Sequence, residues 1–235
     1  MQESASLSLH GILRQYGHYL LDEQRDDGSF PPSQNGAVDE QLTPVRNTAN
    51  CSKILLSCYE RTGDGRFFDG FEGCIEFLHS EAARPHGYTF HDRAVDGKDG
   101  CNGLMGQCKP LIALSMADDH LDGDRHRELA KEVFLYHPYD EAVGLWRCVE
   151  IDGTPLSFDR TFNHQLWFAA AGAHFCSVPE IDEQVRGFLD ALGTNMRTDD
   201  GLIAHRLRPR FSGTEYLRLL RDPIRRPLVR NQALH

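Results

Sequence analysis

A glycine that closes a helical stretch and leads into apolar residues recurs at Gly28-Ser29-Phe30, Gly87-Tyr88, Gly144-Leu145-Trp146 and Gly201-Leu202-Ile203, at spacings of 59, 57 and 57 residues. A fixed period of this size marks a repeated supersecondary unit, and it constrains the fold more than any composition does. Within each unit the pattern reads helix, short turn, helix, long loop. Residues 6–25 form the closing helix of the first unit, with Leu9, Leu13, Tyr16, Leu20 and Leu21 at helical spacing. Thr48 to Glu60, Asn102 to His120 and Thr161 to Phe175 open the next three. Each turns within a few residues and returns through Phe67 to Leu78, Leu129 to Phe134, and Val185 to Leu192.

Short turns at one end and loops of 15 to 19 residues at the other put the long loops on one rim, where function is expected. In the third loop, alternation through Gly144-Leu-Trp-Arg-Cys-Val and a turn at Asp152-Gly153 predict a small β-hairpin. Six units would need about 350 residues, and the 235 present hold about four. The expectation is an all-α fold: stacked antiparallel helical hairpins forming an incomplete (α/α) toroid of about seven to eight helices. It occupies residues 1–205, and an arginine-rich tail with a short helix at Gly213 to Arg221 occupies 206–235.

The net charge is −10, with 26% charged and 40% apolar residues, which excludes wholesale disorder. Lysine appears only at positions 53, 98, 109 and 131, and the remaining 21 basic residues are arginines. Either a salt-rich cytoplasm or a GC-rich genome would produce that bias. Residues 205–235 carry +6 and the rest −16. The tail suits packing on the acidic body better than nucleic acid, because it lacks lysine runs and interleaved aromatics. No basic leader precedes an apolar core, and the longest apolar run, Leu166 to Phe175, is half of a bilayer span. The expectation is a soluble, cytoplasmic protein with no membrane span and no nucleic-acid partner. Seven cysteines without any C-x-x-C argue against a disulfide framework and a zinc site, so no metal and no cofactor are expected.

Each rim loop carries polar groups suited to sugars and proton transfer. Arg46 and Asn47, at a helix N-terminus, are placed to hold a carboxylate; alternatively Asn47 or Thr48 caps the helix and Arg46 is solvated. The second loop holds His91-Asp92-Arg93 and then Lys98, Asp99, Asn102 and Gln107 among glycines that let backbone approach a ligand; a structural turn is the alternative. Asn163, His164 and Gln165 open the fourth helix just before a buried apolar stretch, where polar groups are costly unless satisfied. Trp146 and Trp167 either stack on a sugar ring or belong to the core.

TPVRNT (Thr43 to Thr48), the Tyr59 to Asp64 helix end, KDGCNGLMGQ (Lys98 to Gln107) and FNHQLWFAAAGA (Phe162 to Ala173) resemble the six-hairpin (α/α) carbohydrate-active proteins, which include glycoside hydrolases and N-acylglucosamine 2-epimerase-like enzymes. Within that group the chain is most similar to members encoded among archaeal surface-glycosylation genes, for which sugar isomerisation is supposed. The resemblance implies a role in surface-glycoprotein (S-layer) glycan biosynthesis on a sugar, nucleotide-sugar or lipid-linked glycan, with homo-oligomerisation allowed. It spans residues 6–205, and the arginine-rich tail stands where the family continues into further hairpins.

Isomerisation or epimerisation of a hexose or hexuronic acid comes first, with His164 and His91 shuttling a proton near neutral pH and Asp99 beside them. Arg46 or Lys98 would hold a carboxylate or stabilise an enediolate oxygen, with Asn47, Asn102, Gln107, Trp146, Asn163 and Gln165 around the substrate. A glycosidase or uronyl-eliminating enzyme, using Asp99 with Asp159 or Glu150, is the alternative. A non-enzymatic repeat that binds a glycan or protein is the third.

Overall fold

The computed structural model describes residues 8–32, 42–196, 198–199 and 202–207. Seven helices occur among them: α1 (Leu9–Glu23), α2 (Pro44–Thr62), α3 (Gly65–His79), α4 (Met105–His120), α5 (Arg125–Tyr136), α6 (Phe162–Ala173) and α7 (Pro179–Asn195). α2, α4 and α6 pack side by side, and α3, α5 and α7 each return along their predecessor. Local chemistry sets the ends. Thr43 caps α2 by accepting the Val45 N–H, Pro44 occupies its first turn, and Gly63 closes it in the left-handed region at φ 69°. Asp64 then caps α3, so the α2–α3 turn needs no more than two residues. Phe67, Phe71, Cys74, Ile75 and Leu78, at helical spacing on α3, are fully buried in the same core as Leu55 and Leu56 of α2.

The periodic glycines sit at φ 81°, 74° and 67° for Gly28, Gly87 and Gly144, where a side chain costs energy. Gly201 lies outside the described residues, as do Gly213 to Arg221 and residues 208–235 of the expected tail. Each glycine turn delivers an aromatic ring to the core two or three residues later: Phe30, Phe90 and Trp146. The backbone N–H of each aromatic is then taken by a side chain near the start of the next helix of the α2–α4–α6 row. Phe30 N–H donates to Thr48 Oγ1 at 2.9 Å, Phe90 to Gln107 Oε1 at 2.8 Å and Trp146 to Gln165 Oε1 at 3.1 Å. The repeat is thus a hairpin plus a loop clamped back onto it, which keeps the loop's buried amides satisfied.

The expected all-α incomplete toroid is corrected by two antiparallel sheets. One orders β1 (Tyr139–Asp140), β2 (Leu145–Val149) and β3 (Pro155–Phe158), and the other pairs β4 (Thr198–Asp199) with β5 (Leu202–Ile203). The fold is therefore mainly helical with an antiparallel sheet component. The physical cause is the clamp itself: a loop drawn across the core needs backbone partners, and strand pairing supplies them. Tyr139 pairs with Trp146, and Arg147 with Phe158. β1 is two residues long and has no alternation to read. No helix among the described residues is long and apolar enough to cross a membrane.

Candidate functional site

The long loops are stitched to one another along one rim. Leu42 bridges Arg93, and Thr43 N–H donates to the Asp92 carbonyl at 3.1 Å. Glu150 in the third loop accepts Gly100 N–H at 2.9 Å and Cys101 N–H at 3.1 Å from the second. The third loop in turn bonds the segment His205–Leu207, where Phe162 N–H donates to the His205 carbonyl at 2.7 Å and Leu207 N–H to the Arg160 carbonyl at 2.8 Å.

This stitching encloses a cleft of about 520 Å³. Its wall carries Arg93, Asp99, Asn102, Asp159, Arg160, His164, His205 and Arg206, with Cys148 and Phe158 as apolar members. His164 and Asp159 form its most organised pair, Nδ1 to Oδ2 at 2.8 Å. Asp159 is positioned by two further bonds: its Oδ1 accepts Thr161 N–H at 3.0 Å, and its carbonyl accepts Gln165 Nε2–H at 2.7 Å. Burial pushes the Asp159 carboxyl up, but the hydrogen bonds and charge of His164 and the Thr161 N–H outweigh it, leaving the group below its ordinary value. Asp99 follows the same logic. Burial raises it, while Gly103 N–H, the Cys101 thiol and Arg93 lower it further, with a net downward shift.

Asp99, Cys101 and Glu150 bring ligand atoms within 4.8 Å of one another. The carboxylates already receive Gly100, Cys101, Gly103 and Ile151 N–H groups and the Arg93 guanidinium, and burial pushes the Cys101 thiol up. The cluster reads as a loop clasp.

Of the residues expected from sequence, His164, Asp99 and Asn102 reach the cleft. Arg46 is neither solvated nor open to a carboxylate: its guanidinium forks onto the fully buried Asp92, which also accepts Asn102 Nδ2–H at 2.7 Å. Asn47 donates to the Pro31 carbonyl at 2.7 Å and ties the first loop to α2. Gln107 and Gln165 are buried clamps. Besides accepting the aromatic N–H, Gln107 Nε2 donates to the Phe90 and Cys101 carbonyls at 3.0 and 2.9 Å, and Gln165 Nε2 to the Trp146 and Asp159 carbonyls at 2.8 and 2.7 Å.

Trp146 is wholly buried against Phe134, Phe168 and Phe188, with Nε1–H donating to Gln184 at 2.9 Å, so it offers no face to a sugar. His91 is bonded through its backbone to Ala83 and Thr43, and its ring is outside the cleft wall. Lys98 lies on the exposed tip of the second loop. Asn163 Oδ1 is buried without a hydrogen-bond partner among the described residues.

Arg160, His205 and Arg206 were not expected at a site, while Arg93 is named in sequence only among the polar groups of the second loop and Asp159 only as half of a carboxylate pair. An aspartate five residues before a histidine at a helix start is a legible signal for the pair with His164. Nothing local foretells His205 and Arg206, which arrive through the Thr161–Arg206 bridge.

No family model matches the chain. Over 232 residues it is 44% identical to archaeal glycosylation protein Q of Haloferax volcanii, covering 97% of this chain and 62% of that protein, so it spans less than two thirds of its relative's length. Among solved structures it is similar to a point mutant of a family 10 polysaccharide lyase from Cellvibrio cellulosa in complex with trigalaturonic acid. The TM-score is 0.54 at 14% identity, over 82% of this chain and 74% of that one, a likeness of fold. By sequence the chain therefore stands beside a glycosylation protein, and by fold beside a polysaccharide lyase.

Proposed function

We propose that this protein acts on a sugar in glycan biosynthesis, isomerising or epimerising a hexose or hexuronic acid with His164 as the proton-transfer group. The name of its relative supports the glycan setting. The observation that carries the chemistry is the pair of His164 and Asp159, 2.8 Å apart in a cleft whose wall includes three arginines.

A carboxylate accepting Nδ1–H selects the imidazole tautomer whose Nε2 holds a lone pair, and it stabilises the imidazolium that forms when Nε2 takes a proton. The proton comes from a carbon next to a carbonyl or carboxylate. The C–H electron pair moves into the adjacent C=O, giving an enediolate-like oxygen that Arg206, with Arg160 beside it in the cleft wall, is placed to stabilise. Returning the proton to the neighbouring carbon, while the hydroxyl proton of the enediolate passes from one oxygen to the other, completes an isomerisation. Delivery from the opposite face completes an epimerisation, with His205 in the same cleft as the second acid. A positioned base of this kind contributes about 10²- to 10⁴-fold.

Hydrolysis by paired carboxylates needs one carboxyl kept protonated. Asp99 and Asp159 are instead both held below the ordinary carboxylate range, which favours the histidine route. The test is product analysis by NMR in deuterated water with candidate hexuronic acids. Solvent deuterium should enter a single sugar carbon, with His164→Gln and Asp159→Asn abolishing or sharply slowing it. Release of free or unsaturated sugar that persists in His164→Gln and stops in Asp99→Asn would refute the proposal in favour of the carboxylate route.

A further inference from the structure

The repeat also lines up a second group of side chains about half a turn along the same helices. Two residues beyond Thr48, Gln107 and Gln165, the three equivalent positions hold Asn50, Lys109 and Trp167. Lys109 Nζ lies over the Trp167 ring at 4.0 Å from its centroid, and Lys53 Nζ, next along α2, donates to Asn50 Oδ1 at 2.9 Å. Two of the chain's four lysines, on the adjacent helices α2 and α4, therefore lie near enough for the charge of one to act on the other, and Lys109 sits against an indole that is 39% exposed. Neither is ion-paired to a carboxylate among the described residues. Burial, and then the charge of Lys109, pull the Lys53 amine down to about 8. Half-buried like charges held together without a counter-charge destabilise one another, and an anion seated between them removes that cost.

Resting on the reading that the neighbouring cleft handles a sugar, we propose that Lys53, Lys109, Asn50 and Trp167 form a binding subsite for a phosphate group carried by that sugar. Compact ammonium groups act as point charges on phosphate, whereas the planar forks suited to a carboxylate are the arginines of the His164 cleft. A monoanion compensates one of two lysines, while a phosphate or pyrophosphate compensates both. Trp167 follows His164 by three residues, so the two sites share a helix face and are about 4.5 Å apart along its axis. The carrier is a nucleotide or a lipid phosphate. A phosphate on the anomeric oxygen keeps the sugar ring closed, so the proton left for His164 is the one beside a uronate carboxylate.

The test is titration calorimetry of the intact chain with inorganic pyrophosphate at low salt. Binding should weaken by about tenfold or more in Lys53→Gln and in Lys109→Gln, and remain unchanged in His164→Gln. Unchanged affinity in both lysine variants overturns the proposal. Lysine-methyl NMR of the wild-type protein gives a second reading independent of variant folding: the Lys53 amine should titrate higher with pyrophosphate present, and no movement overturns the site. Displacement of pyrophosphate by uridine diphosphate assigns a nucleotide carrier, and displacement by farnesyl phosphate in detergent a lipid one. Equal displacement by glucuronate, which has no phosphate, overturns the phosphate assignment. Because binding is read without turnover, loss of deuterium exchange with retained pyrophosphate binding removes the His164 chemistry and leaves this subsite standing, and the converse removes only the subsite.

Discussion

The periodic glycines allow a comparison in which backbone conformation is held constant and space alone changes. Gly28 and Gly87 sit at φ 81° and 74°, so alanine at either pays the same left-handed penalty, about 1 to 2 kcal/mol, partly offset by the lower entropy of the unfolded chain. At Gly87 an added Cβ meets nothing within 4 Å, which leaves a net cost of about 1 kcal/mol. At Gly28 it would lie 2.0 Å from the Gly73 carbonyl oxygen and 2.5 Å from its carbon. That neighbour is backbone of α3 and cannot swing away, so overpacking adds about 1 to 3 kcal/mol. Gly144→Ala should resemble Gly28→Ala, since its Cβ would lie 2.3 Å from Ala191 Cβ, which has no rotamer to escape into. At about 2 to 4 °C per kcal/mol for a chain of this size, the Gly28 and Gly144 variants should melt on the order of 5 °C below Gly87→Ala. Thermal and urea unfolding of the three single variants measure this. If Gly87→Ala is as damaging as Gly28→Ala, dihedral strain governs and the close approach of loop to helix does not.

Acid should destabilise the fold through its buried histidines. Burial lowers His137 to about 4, and burial together with the charge of His126 lowers His79 to about 4. Below the ordinary histidine value of about 6.5 the unfolded chain takes up protons that the folded chain refuses, so stability holds above pH 6.5 and falls as pH drops toward 4. The wholly buried His137 contributes about 3 kcal/mol of this; urea midpoints between pH 4 and 7 should show the loss, and His137→Leu should flatten the slope. Gln165→Leu removes the partners of Trp146 N–H and of the Trp146 and Asp159 carbonyls, a cost of about 3 kcal/mol for stranded buried groups. It should also slow deuterium exchange by loosening Asp159, and a variant with wild-type melting would show that the clamp is not needed.

The repeat, the helical hairpins and the gathering of long loops on one rim are legible in the chain because period, helix spacing and turn chemistry are local properties. That His164 faces a polar cleft was legible too, since a polar cluster at the mouth of a buried helix stands out against its surroundings. The roles of its neighbours were not. Gln107 and Gln165 look like ligands in sequence, and only packing shows that each spends its amide on the backbone of a loop 17 to 19 residues earlier. Arg46 looks like an open cation until Asp92, 46 residues away, occupies its fork. The two-residue strand β1 and the arrival of His205 and Arg206 beside His164 depend on backbone pairing across the fold, with no local signal. What the chain determined alone was which segments become helices and where they turn. What tertiary structure decided was which polar groups remain for a substrate, because hydrogen-bond capacity is consumed by partners that sequence distance does not reveal.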